Sequence, residues 1–383
     1  MPLLALFIIR ATGAYQFQAV AGAAPLLLAS GYDYAQVGML IGAYMLPGVF
    51  VTVPAGMLTR RYGDQAVLTA GLTLMLCGAL LMALTSGFAW LLAGRVLSGC
   101  GGLAVLMLVI KMTADRYSGK FLATATAVVI TSWYAGFALA LIGSAWLAAI
   151  GSPRLALIAS GAPALLGLAM VPFVGVPQAV PPPVPGAPAA RTEISWRFIA
   201  SAALCWTMMN VGFALVVGFL PAYLVSLGWD ATLAGARASV LSFSAGGAAI
   251  IGGYVADRLL GRTNAVVLGA SCCAVLMALL PITHAMLPVL IAVGLTYALF
   301  PAALTAQVGE ATPLAARGVV FGWYSGASYV GLTLSPWLAG LLSDVTGDAS
   351  APIFLAAAAL AALLPAYGWF RAEVRASLTV PQT

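Results

Sequence analysis

Residues 31–38 read GYDYAQVG and residues 228–235 read GWDATLAG, so a Gly-aromatic-Asp turn followed by a glycine recurs 197 positions further along the chain. A second motif, WYAG at 133–136, returns as WYSG at 323–326, at an offset of 190. Ordered matches at two nearly equal offsets indicate an internal duplication. The chain is therefore expected to fold as two related halves.

The composition indicates that nearly all of the chain lies in a membrane. Of its 383 residues, 63% are hydrophobic and 7% are charged, whereas a soluble domain carries roughly 25% charged residues. Apolar runs of about 20 residues, long enough to cross a bilayer core, follow one another along the sequence. The period-two alternation of barrel strands is absent, and helices satisfy their own backbone groups in lipid. The sequence predicts an all-α polytopic membrane protein with the lipid bilayer as a partner.

Charged and turn residues divide this apolar sequence into twelve predicted transmembrane helices, six in each half. The predicted spans are 3–28, 35–58, 65–85, 89–112, 121–146, 153–175, 197–220, 231–256, 265–282, 287–309, 318–342 and 351–370. They form an N-terminal bundle over 1–175 and a C-terminal bundle over 197–370. Residues 176–196, with six prolines, are predicted to be a cytoplasmic linker, and residues 371–383 a cytoplasmic tail.

The basic residues predict the orientation of the chain. With the amino terminus in the cytoplasm, 12 of the 16 Lys and Arg residues fall on the cytoplasmic side and Arg154 alone on the outer side. This asymmetry follows the positive-inside rule. We therefore expect a multi-pass protein of a bacterial-type inner membrane with both termini cytoplasmic. The net charge of +6 is explained by these loops, and nucleic acid is not expected as a partner.

The loops after predicted helices 2 and 8 carry a related pattern of glycine and charge. Residues 253–262 read GYVADRLLGR, which resembles the signature G-x-x-x-D-R-x-G-R of the major facilitator superfamily with one extra residue before the second glycine. Residues 56–64 read GMLTRRYGD. Here Arg60 stands where the family has its aspartate and Asp64 where it has an arginine, so the charges are exchanged.

The resemblance implies a conformational latch at these loops, because the family uses them as a charge network that holds the cytoplasmic side in one conformation. The implied latch residues are Gly56, Arg60, Arg61, Asp64, Gly253, Asp257, Arg258 and Arg262. Helix 4 is similar to a second family signature around a buried arginine, Arg95 with Ser98, Gly99 and Gly101. The resemblance covers the whole chain, with a weaker likeness of the N-terminal half to cyanate-permease-like carriers. It implies alternating access by a monomer.

The ionisable residues inside the predicted helices favour an anionic substrate. All ten acidic residues fall in loops or at helix ends, so no carboxylate is placed to bind a cation or relay a proton. Three arginines, Arg10, Arg95 and Arg237, fall within helices. Arginine holds carboxylate-like groups through two parallel hydrogen bonds, and a bound anion offsets part of the cost of burying it. No metal-ligand spacing joins the five cysteines and the single histidine, and no cofactor is expected.

Each of these arginines also has an alternative role. Arg10 lies roughly 10 Å along helix 1 and could reach the cytoplasmic surface. Arg95 could bond backbone carbonyls or serve conformational coupling. Arg237 could pair with Asp230, although oxalate- and nitrate-type members of the superfamily use an arginine on helix 8. On that basis Arg237→Gln is expected to abolish anion binding. By residue count Arg10 and Arg237 lie on opposite sides of the midplane.

Polar and aromatic side chains complete the candidate cavity, although such residues also serve packing and the membrane interface. The candidates are Phe17, Gln18, Tyr44, Tyr134, Asn210, Trp323 and Tyr324, with Trp133, Trp206, Phe213 and Tyr329 as further candidates.

These patterns predict a secondary transporter of a small carboxylate or inorganic anion, by uniport, exchange or proton symport. Symport is less favoured because no intramembrane carboxylate is available to bind the proton. The alternative within the same class is an exporter of neutral or amphipathic compounds, with the arginines serving conformation only. A membrane enzyme is disfavoured because no His-rich metal cluster or acid/base pair occurs within the helices. A channel is disfavoured by the duplicated loops, which imply rocking halves.

Overall fold

The computed structural model describes residues 1–84, 87–117, 120–175, 195–313 and 316–379. Over these residues the chain forms fifteen α-helices, and none of the described residues is in a β-strand. The N-terminal helices are α1 (Pro2–Ala29), α2 (Tyr34–Ala43), α3 (Gly48–Tyr62), α4 (Asp64–Leu84), α5 (Phe88–Arg116), α6 (Lys120–Ile150), α7 (Pro153–Ala159) and α8 (Ala162–Val174). The C-terminal helices are α9 (Trp196–Ser226), α10 (Ala231–Val255), α11 (Arg262–Leu279), α12 (Met286–Tyr297), α13 (Phe300–Ala311), α14 (Arg317–Thr346) and α15 (Ala351–Thr379). The all-α prediction is confirmed.

The fifteen helices make twelve membrane-length rods, as predicted. Three rods are interrupted, between α2 and α3, α7 and α8, and α12 and α13, and each second piece starts at a proline: Pro47, Pro163 or Pro301. Proline suits the start of a helix because the first N–H groups have no partner within the helix. Eleven rods among the described residues are long and apolar enough to cross a bilayer. The remaining rod, α14, has 30 residues but is richer in Gly, Ser and Thr.

The predicted linker and the predicted tail can be compared with the structure only in part. Residues 176–194, nearly all of the predicted linker, lie outside the described residues. The last helix continues past residue 370 to Thr379 and so includes most of the predicted tail.

The repeated Gly-aromatic-Asp motif joins two successive helices in each half. Gly31 and Gly228 have positive φ angles of 96° and 89°, a conformation that is open to glycine and that ends the preceding helix. Asp33 then accepts a hydrogen bond from the backbone N–H of Gln36 at the start of α2. Asp230 caps α10 in the same way. The duplication therefore has a physical meaning: the same turn and cap begin the second rod of each half.

The two halves touch at one end and separate towards the other. Gly235, Gly246 and Gly253 share one face of α10, because they are 11 and 7 residues apart. A Cβ on Gly235 would clash with Leu141 of α6, and one on Gly246 would clash with Tyr134, whereas nothing lies within 4 Å of such an atom on Gly253. The gap between α6 and α10 therefore widens along the helix.

The contact between α2 and α14 has the same gradient. A side chain on Gly38 would clash with the Pro336 backbone and one on Gly42 with that of Thr333, whereas the corresponding space at Gly322 is empty. We call these paired contacts, α2 with α14 and α6 with α10, the seal. The seal lies at the end away from the chain termini. The space between the halves opens towards the termini, the side that the sequence predicts to be cytoplasmic.

A carboxylate bridges the halves at the outer edge of the seal. Asp344 of α14 accepts hydrogen bonds from the backbone N–H groups of Tyr34 (2.9 Å) and Ala35 (2.8 Å) at the start of α2. These two N–H groups have no partner within their own helix, and the helix dipole favours a negative charge there. Asp344 therefore stabilises the conformation in which the seal is closed.

We predict that Asp344→Ala shifts the protein towards the conformation with an open seal. Loss of a helix cap costs about 1 kcal/mol, which corresponds to roughly a fivefold change in the ratio of the two conformations. The measurement is the distribution of distances between spin labels at the exposed positions 30 and 227. Asp230→Ala is the matched control, because Asp230 caps a helix of its own half. Equal distance distributions in the two variants would contradict the bridging role.

Candidate functional site

Arg95 is completely buried and joins three helices of the N-terminal half. Its Nε donates to the Leu40 carbonyl (2.8 Å), Nη1 to that of Gln16 (2.7 Å) and Nη2 to that of Phe17 (2.8 Å). Its guanidinium carbon lies 4.9 Å from the ring centroid of Tyr44, whose hydroxyl donates to the Gly13 carbonyl. All three nitrogens of Arg95 have partners. The geometry therefore favours the conformational role of Arg95 and places Tyr44 in the same packed cluster.

Arg10 has a different set of contacts, although it too is buried, with 9% of its surface exposed. The two hydrogen bonds of the Arg10 side chain both come from Nη1, which donates to the carbonyls of Val129 (2.8 Å) and Ile130 (3.0 Å) on α6. Nε is buried and has no partner among the described residues. The guanidinium carbon lies 5.7 Å from the ring centroid of Trp133. Arg10 therefore does not extend to the surface at the end of the termini, and no described residue accepts a hydrogen bond from its Nε–Nη2 edge.

Two tyrosines, one from each half of the protein, lie within electrostatic range of this guanidinium. Tyr134 of α6 and Tyr329 of α14 are near enough to Arg10 to interact with it electrostatically. Neither hydroxyl makes a hydrogen bond within the described part of the chain. Tyr329 follows Gly322 by seven residues and so lies on the face of α14 that forms the seal. From the sequence, Tyr329 is only a further candidate, because nothing in its spacing shows which helix faces it.

An aromatic layer closes the space on the seal side of Arg10. Phe17 and Phe137 are 5.5 Å apart by ring centroid, Phe137 lies 6.3 Å from Phe213 of the other half, and Phe213 lies 4.4 Å from Tyr297. Gln18 also crosses the halves, through a 3.0 Å hydrogen bond from Nε2 to the Val217 carbonyl. Arg10 precedes Phe17 by seven residues of α1 and therefore lies on the side of this aromatic layer that faces the termini.

The remaining candidates of the C-terminal half have local partners. The Asn210 amide donates to the Trp206 carbonyl (2.7 Å), one turn from Phe213 towards the open end. Tyr324 stacks on Trp206 at 4.7 Å and its hydroxyl lies 3.3 Å from that of Thr305. Trp323 is 53% exposed and packs edge-on against Trp196. Trp206 and Asn210 can line the space, whereas Trp323 lies apart from Arg10.

Arg237 does not converge with Arg10. Its guanidinium carbon lies 3.7 Å from the ring centroid of Trp229, at the outer start of α10. Gly235, two residues before it, contacts Leu141 of α6, whereas Arg10 bonds Ile130 of the same helix. Eleven residues of helix separate these two levels, roughly 16 Å at 1.5 Å per residue. One small anion cannot bridge the two arginines in this conformation, and Asp230 does not pair with Arg237 because it caps α10.

The implied latch residues form a charge cluster within each half. In the C-terminal half Arg262 pairs with Asp257 (2.5 Å) and with Glu310 of α13. In the N-terminal half Lys111 of α5 pairs with Asp64 (2.8 Å) and Asp115 (2.9 Å). One cation thus holds two carboxylates in each half, even though the loop charges are exchanged.

The other latch residues whose side chains are described have no such pairing. Arg61 lies over the ring of Tyr62, Arg258 is exposed, and the side chain of Arg60 lies outside the described residues. No ion pair joins the halves among the residues described. Neither do those residues include a group of three or more His, Cys, Asp or Glu side chains suited to a metal ion.

Twelve rods in two six-helix halves, which touch at one end and separate towards the other, define a polytopic membrane protein of the carrier type. Residues 6–293 match the Major Facilitator Superfamily, and the chain belongs to this superfamily. Solved structures with the same fold include an inward-facing, occupied bacterial homolog of the human lysosomal transporter Spinster (TM-score 0.77, 16% identity, 97% of this chain and 96% of that chain).

Two further proteins are similar to this chain. The inward-open xylose transporter XylE from E. coli superimposes with a TM-score of 0.79 at 13% identity, over 96% of this chain and 95% of that chain. The inner membrane transport protein YajR of Escherichia coli (strain K12) is 29% identical over 114 residues. That match spans 29% of this chain and only about a quarter (24%) of the relative.

We predict that Arg95→Lys destabilises the protein more than the same substitution at Arg237. A lysine cannot serve three carbonyls in three directions, and a hydrogen bond to a charged group contributes about 1.5–3 kcal/mol. The expected loss is about 2–4 kcal/mol at position 95 and under 1 kcal/mol at position 237, where the charge is retained. Thermal unfolding in detergent measures both. Equal stability of the two variants would show that the Arg95 clamp does not hold the bundle together.

Proposed function

We propose that the chain is a secondary transporter that carries a small anion across the inner membrane by rocker-switch alternating access. The observation that carries this proposal is Arg10, a buried guanidinium whose Nε has no described partner and whose electrostatic neighbours include Tyr329 of the other half. Burying a cation without a counter-charge costs several kcal/mol, and a bound anion offsets much of that cost.

The charges around Arg10 support an anion over a cation. The electrostatic neighbours of its guanidinium are Tyr134 and Tyr329, and no carboxylate is among them. The acidic residues of the described chain lie at or near helix ends, where several of them pair with Lys111, Arg197 or Arg262. A cationic substrate would meet Arg10 with no compensating negative charge.

The position of the site suits alternating access. Arg10 and Tyr134 belong to the N-terminal half and Tyr329 to the C-terminal half, so an anion between them contacts both. Entry takes place from the open end in the present conformation, and release on the other side requires the seal to open. Uniport or exchange is preferred to proton symport, because no described carboxylate lies beside Arg10 to bind a proton.

A second candidate function is export of neutral or amphipathic compounds. The observation in its favour is the aromatic character of the space, with Trp133, Trp206 and Phe213 as half-buried or buried walls. Under this alternative Arg10 serves only to join α1 to α6. The two functions differ in what stabilises the protein.

We predict that small anions raise the thermal stability of the detergent-purified protein. A ligand at 100 times its dissociation constant stabilises the native state by about 2.7 kcal/mol. The panel comprises mono- and dicarboxylates, cyanate, nitrate and phosphate, with lipophilic cations and neutral drugs for contrast. Arg10→Gln is expected to abolish the effect. Arg237→Gln, with the same loss of charge at the outer end, is expected to retain it.

The outcomes separate the two functions. Stabilisation by neutral or cationic compounds alone would replace the anion carrier by the exporter. Loss of the anion effect in Arg237→Gln but not in Arg10→Gln would move the site to the outer arginine.

A further inference from the structure

We infer that the anion is an organic monocarboxylate, with one negative charge on a carboxylate and an apolar body; the inference rests on the proposed function. It follows from four features of the described residues: the number of free cations, the edge of Arg10 that is unpaired, the two phenols beside it and the aromatic walls.

The site compensates one negative charge. Arg10 is the one cation with an unpaired donor edge among the described residues between the halves. Arg95 gives all its nitrogens to carbonyls, and Arg237 lies on Trp229 at the outer end. Lys111 is paired with two carboxylates. A dianion would keep one charge uncompensated where water is excluded, which is strongly unfavourable.

The unpaired edge of Arg10 matches a planar pair of oxygens. The two bonds from Nη1 to Val129 and Ile130 fix the plane of the guanidinium. The remaining donors, Nε and Nη2, point in parallel, and their separation fits the two oxygens of a carboxylate. A linear anion such as cyanate offers one terminal atom, so hydrogen bonds from both donors to it would be bent and weaker. In the present conformation Nε is shielded from solvent, so the anion reaches this edge by displacing a neighbouring side chain.

The phenols complete the coordination of a carboxylate without adding charge. A carboxylate accepts about four hydrogen bonds. Two come from the free edge of Arg10, and the hydroxyls of Tyr134 and Tyr329, which have no described partners, can supply the other two. Because phenols are neutral, the site still balances a single negative charge.

The aromatic side chains near the Arg10 guanidinium favour an apolar body on the substrate. The ring of Trp133 lies beside Arg10, and the layer of Phe17, Phe137 and Phe213 closes the space next to it. Each of the nearby amides already gives one N–H to a main-chain carbonyl: Asn210 donates to Trp206, and Gln18 donates to Val217. A hydroxylated or second acidic group on the substrate would meet aromatic rings without a polar partner, which is unfavourable.

The test is calorimetric titration of the full-length protein in detergent with four probes of related shape. Benzoate carries one carboxylate on an apolar body, and phthalate adds a second carboxylate. Benzamide is the neutral isostere, and nitrate is a planar monoanion without a body. We expect benzoate to bind at least tenfold more tightly than each of the other three.

Each contrary result identifies a different failure. Phthalate binding as tightly as benzoate would overturn the single-charge inference and leave the anion carrier intact. Nitrate binding as tightly as benzoate would overturn the inference that the substrate has an apolar body. Benzamide binding equally would overturn the inference and the proposed function together. If benzoate does not bind while another anion of the wider panel does, the inference alone fails.

Variants locate the contacts. Tyr134→Phe and Tyr329→Phe should each weaken benzoate binding about threefold to tenfold, because each loses one donor. Tyr324→Phe is the matched control, since its hydroxyl interacts with Thr305, and it should bind normally. Arg10→Lys keeps the charge but not the paired donors, and should weaken benzoate binding at least tenfold. Normal benzoate binding by Arg10→Lys or by both phenylalanine variants at positions 134 and 329 would overturn the proposed coordination.

Discussion

Close approach of helix backbones across the seal is the contact on which the conformation of the whole protein depends. In lipid no hydrophobic effect drives one apolar helix against another, so helices associate through tight packing and a few polar contacts. Glycine permits that packing here: at Gly38, Gly42, Gly235 and Gly340 any side chain would clash with backbone of the opposite half. Among the described residues, the polar contacts between the halves at this end are the Asp344 cap and the bond from Gln18 of α1 to Val217 of α9. The seal is also imperfect, because Ser242, on the α10 face that meets α6, is buried without a partner among the described residues.

The two buried arginines of the N-terminal half show how partners decide the role of one residue type. Arg95 and Arg10 are both excluded from water, and both bond main-chain carbonyls. Each guanidinium nitrogen of Arg95 has a carbonyl partner, which fixes α5 to α1 and α2, whereas Nε of Arg10 has no described partner. An unpaired buried donor has an unfavourable free energy of about 1–3 kcal/mol, more when it is charged. That difference makes Arg95 a structural residue and leaves Arg10 able to gain from a ligand.

The sequence predicted the architecture far better than the arrangement of the site. Length, hydropathy and the repeated turns gave twelve rods in two halves, because each signal is local: Gly31 ends a helix and Asp33 begins the next in any context. It also placed Arg10 and Tyr134 among the candidates. Sequence alone could not separate Arg10 from Arg95, because their difference lies in carbonyls 55 to 120 positions away along the chain. Helical periodicity likewise gives the face of Tyr329 but not the helix that this face meets. The contact of Arg237 could not be predicted from the sequence either. In the sequence, its stacking partner Trp229 is recognisable only as part of the repeated turn.

The distribution of polar contacts between and within the halves indicates which end governs the conformational change. At the open end, the charge clusters around Arg262 and Lys111 each lie within one half, so they persist while the halves remain apart. At the closed end, Asp344 and Gln18 bond across the interface and are lost when the seal opens. The energy barrier to rocking therefore lies mainly in the seal. A ligand that contacts Arg10 and Tyr329 together draws the halves towards each other at the open end, and this new contact between the halves can compensate for those lost at the seal. Such compensation is what a carrier requires, because a ligand shifts a conformational equilibrium only through its different interactions with the two states.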